Sequence, residues 1–269
     1  MTREEILKKL KETEYLYAAY SMATKLPYIY CDEESYNDQA FVFFDEADLK
    51  NFVFAKQKEK IPLMGMRHEQ KGLTFLWFQF YSLSINSVVV TAEGETLEIE
   101  LSSLSKMPDF SKLPPQNQPV LNPALQLCGL YFMQELRRPV QPQERKNLRA
   151  LEEELVVNLR KSKYLMPFQT QDDDPKKTGI PLLKAKNGDS LQPIFSDTLE
   201  LGKLFKGKKY KYRLVPFEQL PVFLAPQAKA FLLNPGGISL PLDREQLKRM
   251  GAVFKEEGTA KPAEGETQV

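Results

Sequence analysis

The sequence predicts an α+β protein made of two related units, each a small sheet with flanking helices, joined by a helical linker. Three observations predict it. Apolar runs of strand length, such as Phe41-Val42-Phe43-Phe44 and Ala230-Phe231-Leu232-Leu233, are interspersed with amphipathic stretches of helix length. A strand-turn-strand signal occurs in each half, around Ala92-Glu93-Gly94-Glu95 and around Asn234-Pro235-Gly236-Gly237. The signals also recur in one order. Phe43-Phe44-Asp45-Glu46 before an apolar helix matches Ile194-Phe195-Ser196-Asp197, and Pro27-Tyr28 after a helix matches Pro167-Phe168. The units expected are residues 1–105 and 142–254, with a Pro-rich linker and helix at 106–141 and a disordered tail at 255–269.

Taken in order, Thr2 and Glu5 make a capping box. Ile6, Leu7, Leu10, Leu16, Ala19 and Tyr20 recur at helical intervals, so a helix is expected from Thr2 to about Thr24. Pro27 to Tyr30 is extended, Asp32 to Gln39 a polar loop, Phe41 to Phe44 a strand, and Asp45 to Phe54 a helix started by Asp45. Ile61 to Met66 is extended, and His68 follows in what reads as a polar loop. Thr74 to Ser84 is rich in aromatics on every side and its type stays open; its use is packing between the units or a protein-binding patch around Trp77. Ser87 to Val90 and Leu97 to Leu101 form a hairpin. Met107 to Pro123 reads as linker, and Ala124 to Arg137 and Pro142 to Ser162 as amphipathic helices. In the second unit Pro193 to Phe195 is a strand, Ser196-Asp197 starts a helix, and Lys209 to Val215 alternates as a strand with one solvated face. Ala230 to Leu233, the Asn-Pro-Gly-Gly turn and Ile238 to Leu240 form the closing hairpin, and Leu242 to Leu247 is a short helix.

Composition removes several function classes. Lys+Arg 37 against Asp+Glu 36 leaves a formal charge of +1, so no global field favours nucleic acid or an anionic membrane. No apolar run approaches the ~20 residues of a membrane-spanning helix, and no apolar segment follows the charged N-terminus. Cys31 and Cys128 are read as reduced thiols, which gives a cytoplasmic expectation. His68 is the only histidine, so zinc, Cys/His and His-Glu schemes lack parts, and it reads as a solvent-exposed loop histidine. Asp172-Asp173-Asp174 lacks the spaced donors and glycine of a calcium loop and reads as solvated. No phosphate-binding glycine loop or nucleophile elbow occurs. Catalytic, cofactor-binding and metal residues are therefore expected to be none.

The sharpest feature is Lys203 to Arg213, where basic residues interleave with Phe205, Tyr210 and Tyr212. Alternation puts Lys209, Lys211 and Arg213 on the face opposite the tyrosines. Rings and charges then share no surface, which argues against stacking nucleic-acid bases. A solvated, self-protecting edge strand ranks first, an acidic protein partner second and nucleic acid last. Lys209, Lys211, Arg213 and Trp77 are the candidate interaction residues.

The second unit resembles the SseB-like family, named for the enhanced serine sensitivity protein of bacteria. The resemblance rests on Leu165-Met166-Pro167, Pro193-Ile194-Phe195-Ser196-Asp197, Val215-Pro216-Phe217, Leu232-Leu233-Asn234-Pro235-Gly236, Leu240-Pro241 and Leu247. The first unit matches faintly, with Thr91-Ala92-Glu93-Gly94 in place of the Asn-Pro-Gly turn and Phe44-Asp45-Glu46 in place of the family's Phe-Thr-Ser element. The resemblance implies a small α+β domain, often in tandem, without an established catalytic set, and a bacterial cytoplasmic origin. The function expected is a non-catalytic protein-interaction or regulatory module whose partner is another protein, with no cofactor, no membrane and an open oligomeric state. The alternative is a small-molecule binder or enzyme with a site between the two units.

Overall fold

A computed structural model describes residues 1–114, 118–171, 174–205 and 211–257. Helix α1 (Arg3–Glu12) starts in the capping box expected. The Thr2 hydroxyl accepts from Glu5 N at 3.3 Å, and the Glu5 carboxylate accepts from Thr2 N at 2.8 Å. It ends well before Thr24. Thr13 donates its hydroxyl to the Tyr15 carbonyl at 2.7 Å, and Tyr15–Ser21 is strand β1. Leu16, Ala18 and Tyr20 enter the main core from one face, while Tyr17 and Ala19 pack into a second cluster on the other. The spacing that reads as helical thus serves a strand buried on both sides, and seven residue pairings with a neighbouring strand decide the matter.

The first half continues with β2 (Ile29–Cys31), β3 (Asp38–Phe43) and α2 (Glu46–Lys58). Asp45 caps α2 by accepting from Ala47 N at 2.6 Å. Next come β4 (Leu63–Glu69), α3 (Gln70–Ser82), β5 (Ser87–Ala92), β6 (Glu95–Glu100) and the short α4 (Leu101–Leu104). The sheet order is β4-β1-β3-β5-β6, with β2 also on β3; β3 and β5 run parallel and the other pairs antiparallel. The aromatic stretch of uncertain type is α3, which buries Leu76, Trp77 and Phe80.

Helix α5 (Pro123–Leu136) follows the linker. Asn147, in the left-handed region at φ 51°, then holds off α6 until Leu148–Lys161, and only a single 3-10 turn covers Pro142–Glu144. The second half contains β7 (Lys163–Gln171), β8 (Asp174–Gly179), β9 (Leu183–Lys184), β10 (Ser190–Ile194) and α7 (Thr198–Leu204). It ends with β11 (Lys211–Pro216), α8 (Leu220–Phe223), β12 (Ala230–Leu233), β13 (Leu240–Asp243) and α9 (Arg244–Glu257). Strands β7, β8 and β11 pair in the order β11-β7-β8, and β13-β12-β10-β9 form a second sheet, with β10 and β12 parallel. Leu165 and Phe195 exchange two backbone hydrogen bonds, of 2.8 and 3.0 Å, and so join β7 to the end of β10. The route β11-β7-β10-β12-β13, with β9 on β10, follows the same pairings as β4-β1-β3-β5-β6 with β2 on β3.

The closing helix is longer than the short signal at Leu242 to Leu247. Asp243 and Gln246 cap it reciprocally, each side chain accepting from the other's backbone N–H, at 2.7 and 2.9 Å. It runs to Glu257, past the expected start of the tail at Lys255, and the rest of the tail lies outside the described residues.

One apolar core runs from Ile6 to Leu247 and takes in both halves. Helix α5 is its middle. It was expected to be amphipathic, yet it buries Leu125, Cys128, Leu130, Phe132 and Met133 together with Gln126. Its polar side chains reach both ways. Tyr131 donates to Asp38 at 2.6 Å, and Gln134 accepts from Ile29 N at 3.3 Å and donates to Ile29 O at 3.1 Å. Gln126 donates to Asp197 at 2.7 Å and accepts from Asn234 at 3.2 Å. Arg137 spans the two, donating to Ala23 O at 2.6 Å and Ser239 O at 2.9 Å.

A shared core predicts a shared transition. Leu130→Ala, at a fully buried position, should lower stability by about 2–5 kcal/mol. Urea unfolding followed by the single tryptophan, Trp77, should coincide with unfolding followed by far-UV circular dichroism in both proteins. Two separated transitions would show that the halves fold independently.

Candidate functional site

The residues of the family resemblance converge on a buried polar network. Asp197 caps α7 by accepting from Glu200 N at 2.9 Å, and its other oxygen accepts from Ser196 Oγ at 2.6 Å and Gln126 Nε2 at 2.7 Å. Asn234, at φ 49°, accepts from Ser196 N at 2.9 Å and donates to Ser196 Oγ at 2.8 Å. Ser196, Asp197 and Asn234 are at most 1% exposed. The Ser196 hydroxyl is committed as donor and acceptor and has no histidine beside it, so this arrangement is scaffold and not a nucleophile with its base. The closing turn belongs to the same scaffold. A Cβ on Gly237 would lie 2.8 Å from Glu200 Oε2, so glycine is required there by close approach.

Glu200 is the strained member of this group. Its Oε1 accepts from Lys203, while its buried Oε2 meets no hydrogen-bond partner within bonding geometry among the described residues. Burial is the largest effect and raises its carboxyl above the ordinary 4.5, against the opposing pull of Lys203.

The single histidine is not a loop residue. Strand β4 pairs with β1 through Glu69, so His68 lies on a strand, half-buried. Its Nε2 is 3.3 Å from Tyr20 OH, which donates to Gln79 at 3.2 Å, and the Tyr20 and His68 rings stack at 5.8 Å. Burial lowers its basicity. Cys31 and Cys128 are both free. Burial pushes the Cys128 thiol up to about 12, and partial burial with nearby carboxylates also raises Cys31, so neither is poised as a thiolate. Among the described residues no group of three His, Cys, Asp or Glu could hold a metal, and no helix is long and apolar enough to cross a membrane. Asp172 and Asp173 lie outside the described residues, and Asp174 opens β8.

Of the candidate interaction residues, Lys211 and Arg213 lie on β11, Lys209 lies outside the described residues, and Trp77 faces inward at 6% exposure. Trp77 packs edge-on against Phe80, and the exposed ring of α3 is Phe75. Strand β11 ends its sheet and is exposed on both faces from Lys211 to Leu214, where alternation predicted only one solvated face. Leu214 lies opposite Leu165 but remains 45% exposed, because β7 covers β11 on one side only. Lys211 pairs with Phe168 and Arg213 with Met166, so the basic side chains share a face with apolar ones. The Arg213 guanidinium sits 5.5 Å from the Phe223 ring and helps line a hollow of about 220 Å³ with Pro167, Phe168 and Ile180. The ring neighbours of the basic edge are therefore Phe168 and Phe223, which the local pattern around Tyr210 and Tyr212 did not reveal.

Comparison with known proteins bears on the second half. Residues 143–249 match the family model described as SseB protein N-terminal domain, so this half is of the SseB type that its residues resemble. No curated protein matches. Two solved structures are similar over nearly the whole chain. Tic22 from Plasmodium falciparum is 14% identical, with 94% of this chain and 98% of that one covered, at a TM-score of 0.21. Anabaena Tic22 (protein transport) is 12% identical, with 97% and 100% covered, at a TM-score of 0.22. Scores at this level support no inference about this chain.

The Glu200 environment gives a pH test. A carboxyl raised in the folded state stabilises the fold most below its unfolded value, and that contribution is lost as pH rises through the folded value. Glu200→Gln should therefore gain stability relative to the parent at pH 7, and the difference should shrink toward pH 4 in urea titrations. A difference that is constant or grows on acidification would contradict this.

Proposed function

We propose that this chain is a non-catalytic protein-binding module that takes an extended acidic segment of a partner protein along the outer edge of β11. The observation that carries the reading is the exposed, basic edge of β11, unpaired among the described residues, beside the Arg213–Phe223 hollow. An edge strand offers backbone donors and acceptors to an added strand, while flanking pockets choose its side chains. Lys211 and Arg213 form no ion pair among the described residues, and so leave positive charge for a partner carboxylate.

The reading also takes residues 1–105 and 142–254 as two copies of one ancestral unit in a cytoplasmic, bacterial protein. The recurrence of strand pairings supports the duplication, and the two free cysteines agree with a reducing compartment. The buried state of Ser196, Asp197 and Asn234 supports a module without catalysis.

The test is affinity capture by the intact chain and by the double variant Lys211→Glu/Arg213→Glu, with nuclease present. A protein partner held by the parent should be captured about tenfold less by the variant at low salt. A partner held equally by both would remove β11 as the binding edge, and capture that disappears with nuclease would favour nucleic acid.

A further inference from the structure

On elements other than β11, an apolar cavity of about 480 Å³ lies among α5, α6, β13 and α9. Its walls are mainly aliphatic, with Met133 from α5, Leu155, Val156 and Leu159 from α6, Leu240 from β13 and Met250 from α9, and Phe132 contributes one ring. This is the size of site that one small ligand fills, and thioether side chains let the wall adapt to a flexible chain. Polar side chains reach it from few places. On α9, Gln246 and Arg249 stand three residues apart and so share a face. Arg249 is exposed and makes no ion pair among the described residues. Gln246 uses its oxygen on Asp243 N, which leaves its amide N–H groups to donate. From α6, Glu152 also touches the cavity and is exposed.

We propose that this cavity binds a linear aliphatic carboxylate, with the chain among the α5, α6 and β13 side chains and the carboxylate on Arg249 and Gln246. The pairing of an aliphatic wall with an unpaired guanidinium and a free amide donor selects this chemistry. The chain's own tail is a poor occupant, since residues 258–269 offer Val269 as their single branched aliphatic side chain. A partner helix needs a longer apolar strip, yet the sequence neighbours of the lining residues on α6 and α9, Glu153, Glu245 and Lys248, are exposed and charged. Glu152 repels a carboxylate, so the head group is placed on the α9 side. This site is independent of β11 and stands whether or not that edge binds a protein.

The experiment titrates the intact chain with dodecanoate below its micellar concentration by calorimetry, with dodecyltrimethylammonium as comparator. One dodecanoate should bind per chain, about tenfold more tightly than the cation. Arg249→Glu should weaken dodecanoate about tenfold, Glu152→Gln should tighten it, and Val156→Trp should block it by filling the wall. Arg249 is exposed, so its variant leaves the core untouched and decides the matter even if the tryptophan variant does not fold. Absence of saturable uptake would overturn the proposal, as would equal affinity for both head groups with no response to Arg249→Glu. An amphipathic peptide that binds at Val156 while dodecanoate does not would overturn it in favour of a protein partner.

Discussion

The fold depends on how α5 satisfies its polar side chains inside the core. Apolar burial pulls the helix between the two halves, but that attraction has no direction. Direction comes from buried Gln126, whose amide left without a partner would cost about 1–3 kcal/mol, and from half-buried Tyr131 and Gln134. Gln134 meets both the N–H and the carbonyl of Ile29, so a side-chain amide stands in for a neighbouring strand on β2. Gln126 does the same for the second half, giving to Asp197 and receiving from Asn234. The helix can turn or slide only by breaking bonds at both ends. Gly129 completes the fit, since a Cβ there would lie 3.0 Å from Ile238.

This constraint accounts for the burial of the polar residues behind the family resemblance. Ser196, Asp197 and Asn234 hold the start of α7, the closing turn and α5 in one hydrogen-bonded unit, and their polar atoms are spent on one another. Polar groups left for another molecule lie where this network ends, at sheet edges and in the clefts beside α5. Both proposed sites do, one on the outer strand of a sheet and the other along the flank of α5.

Local physics was legible where the signal is local. The Thr2–Glu5 box, the Asp45 and Asp197 caps and the β5–β6 hairpin follow from adjacent residues, and each is present. Strand β1 was not legible, because Leu16, Ala19 and Tyr20 fit a helical face as well as a strand buried on both sides, and only pairing with β4 separates them. His68 was misplaced for the same reason, since its neighbours are polar while the strand that shelters it is fifty residues earlier. The sites were less legible still. Lys211 and Arg213 could be found from charge, but Phe168 and Phe223 join them only through strand pairing and α8. The cavity beside α5 draws on four elements between Phe132 and Met250, and no single window of sequence contains it.

The equivalent edge of the first half shows what is particular to the second. Strand β4 ends its sheet as β11 does, and it too is mostly exposed, with Met64 and Met66 outward. Its charge, however, is consumed locally. Arg67 is 3.0 Å from Glu69, and its guanidinium lies 4.1 Å from the Tyr15 ring. An extended segment meeting β4 finds backbone groups and two thioethers but little net field. One meeting β11 finds Lys211 and Arg213 unneutralised among the described residues. Both edges can accept a strand by hydrogen bonding, which discriminates weakly between sequences. Only β11 adds unneutralised positive charge among the described residues, and the proposed choice of an acidic segment rests on that difference. The pairing scheme common to the two halves is thus compatible with one binding edge, because selectivity resides in side chains that the pairing does not fix.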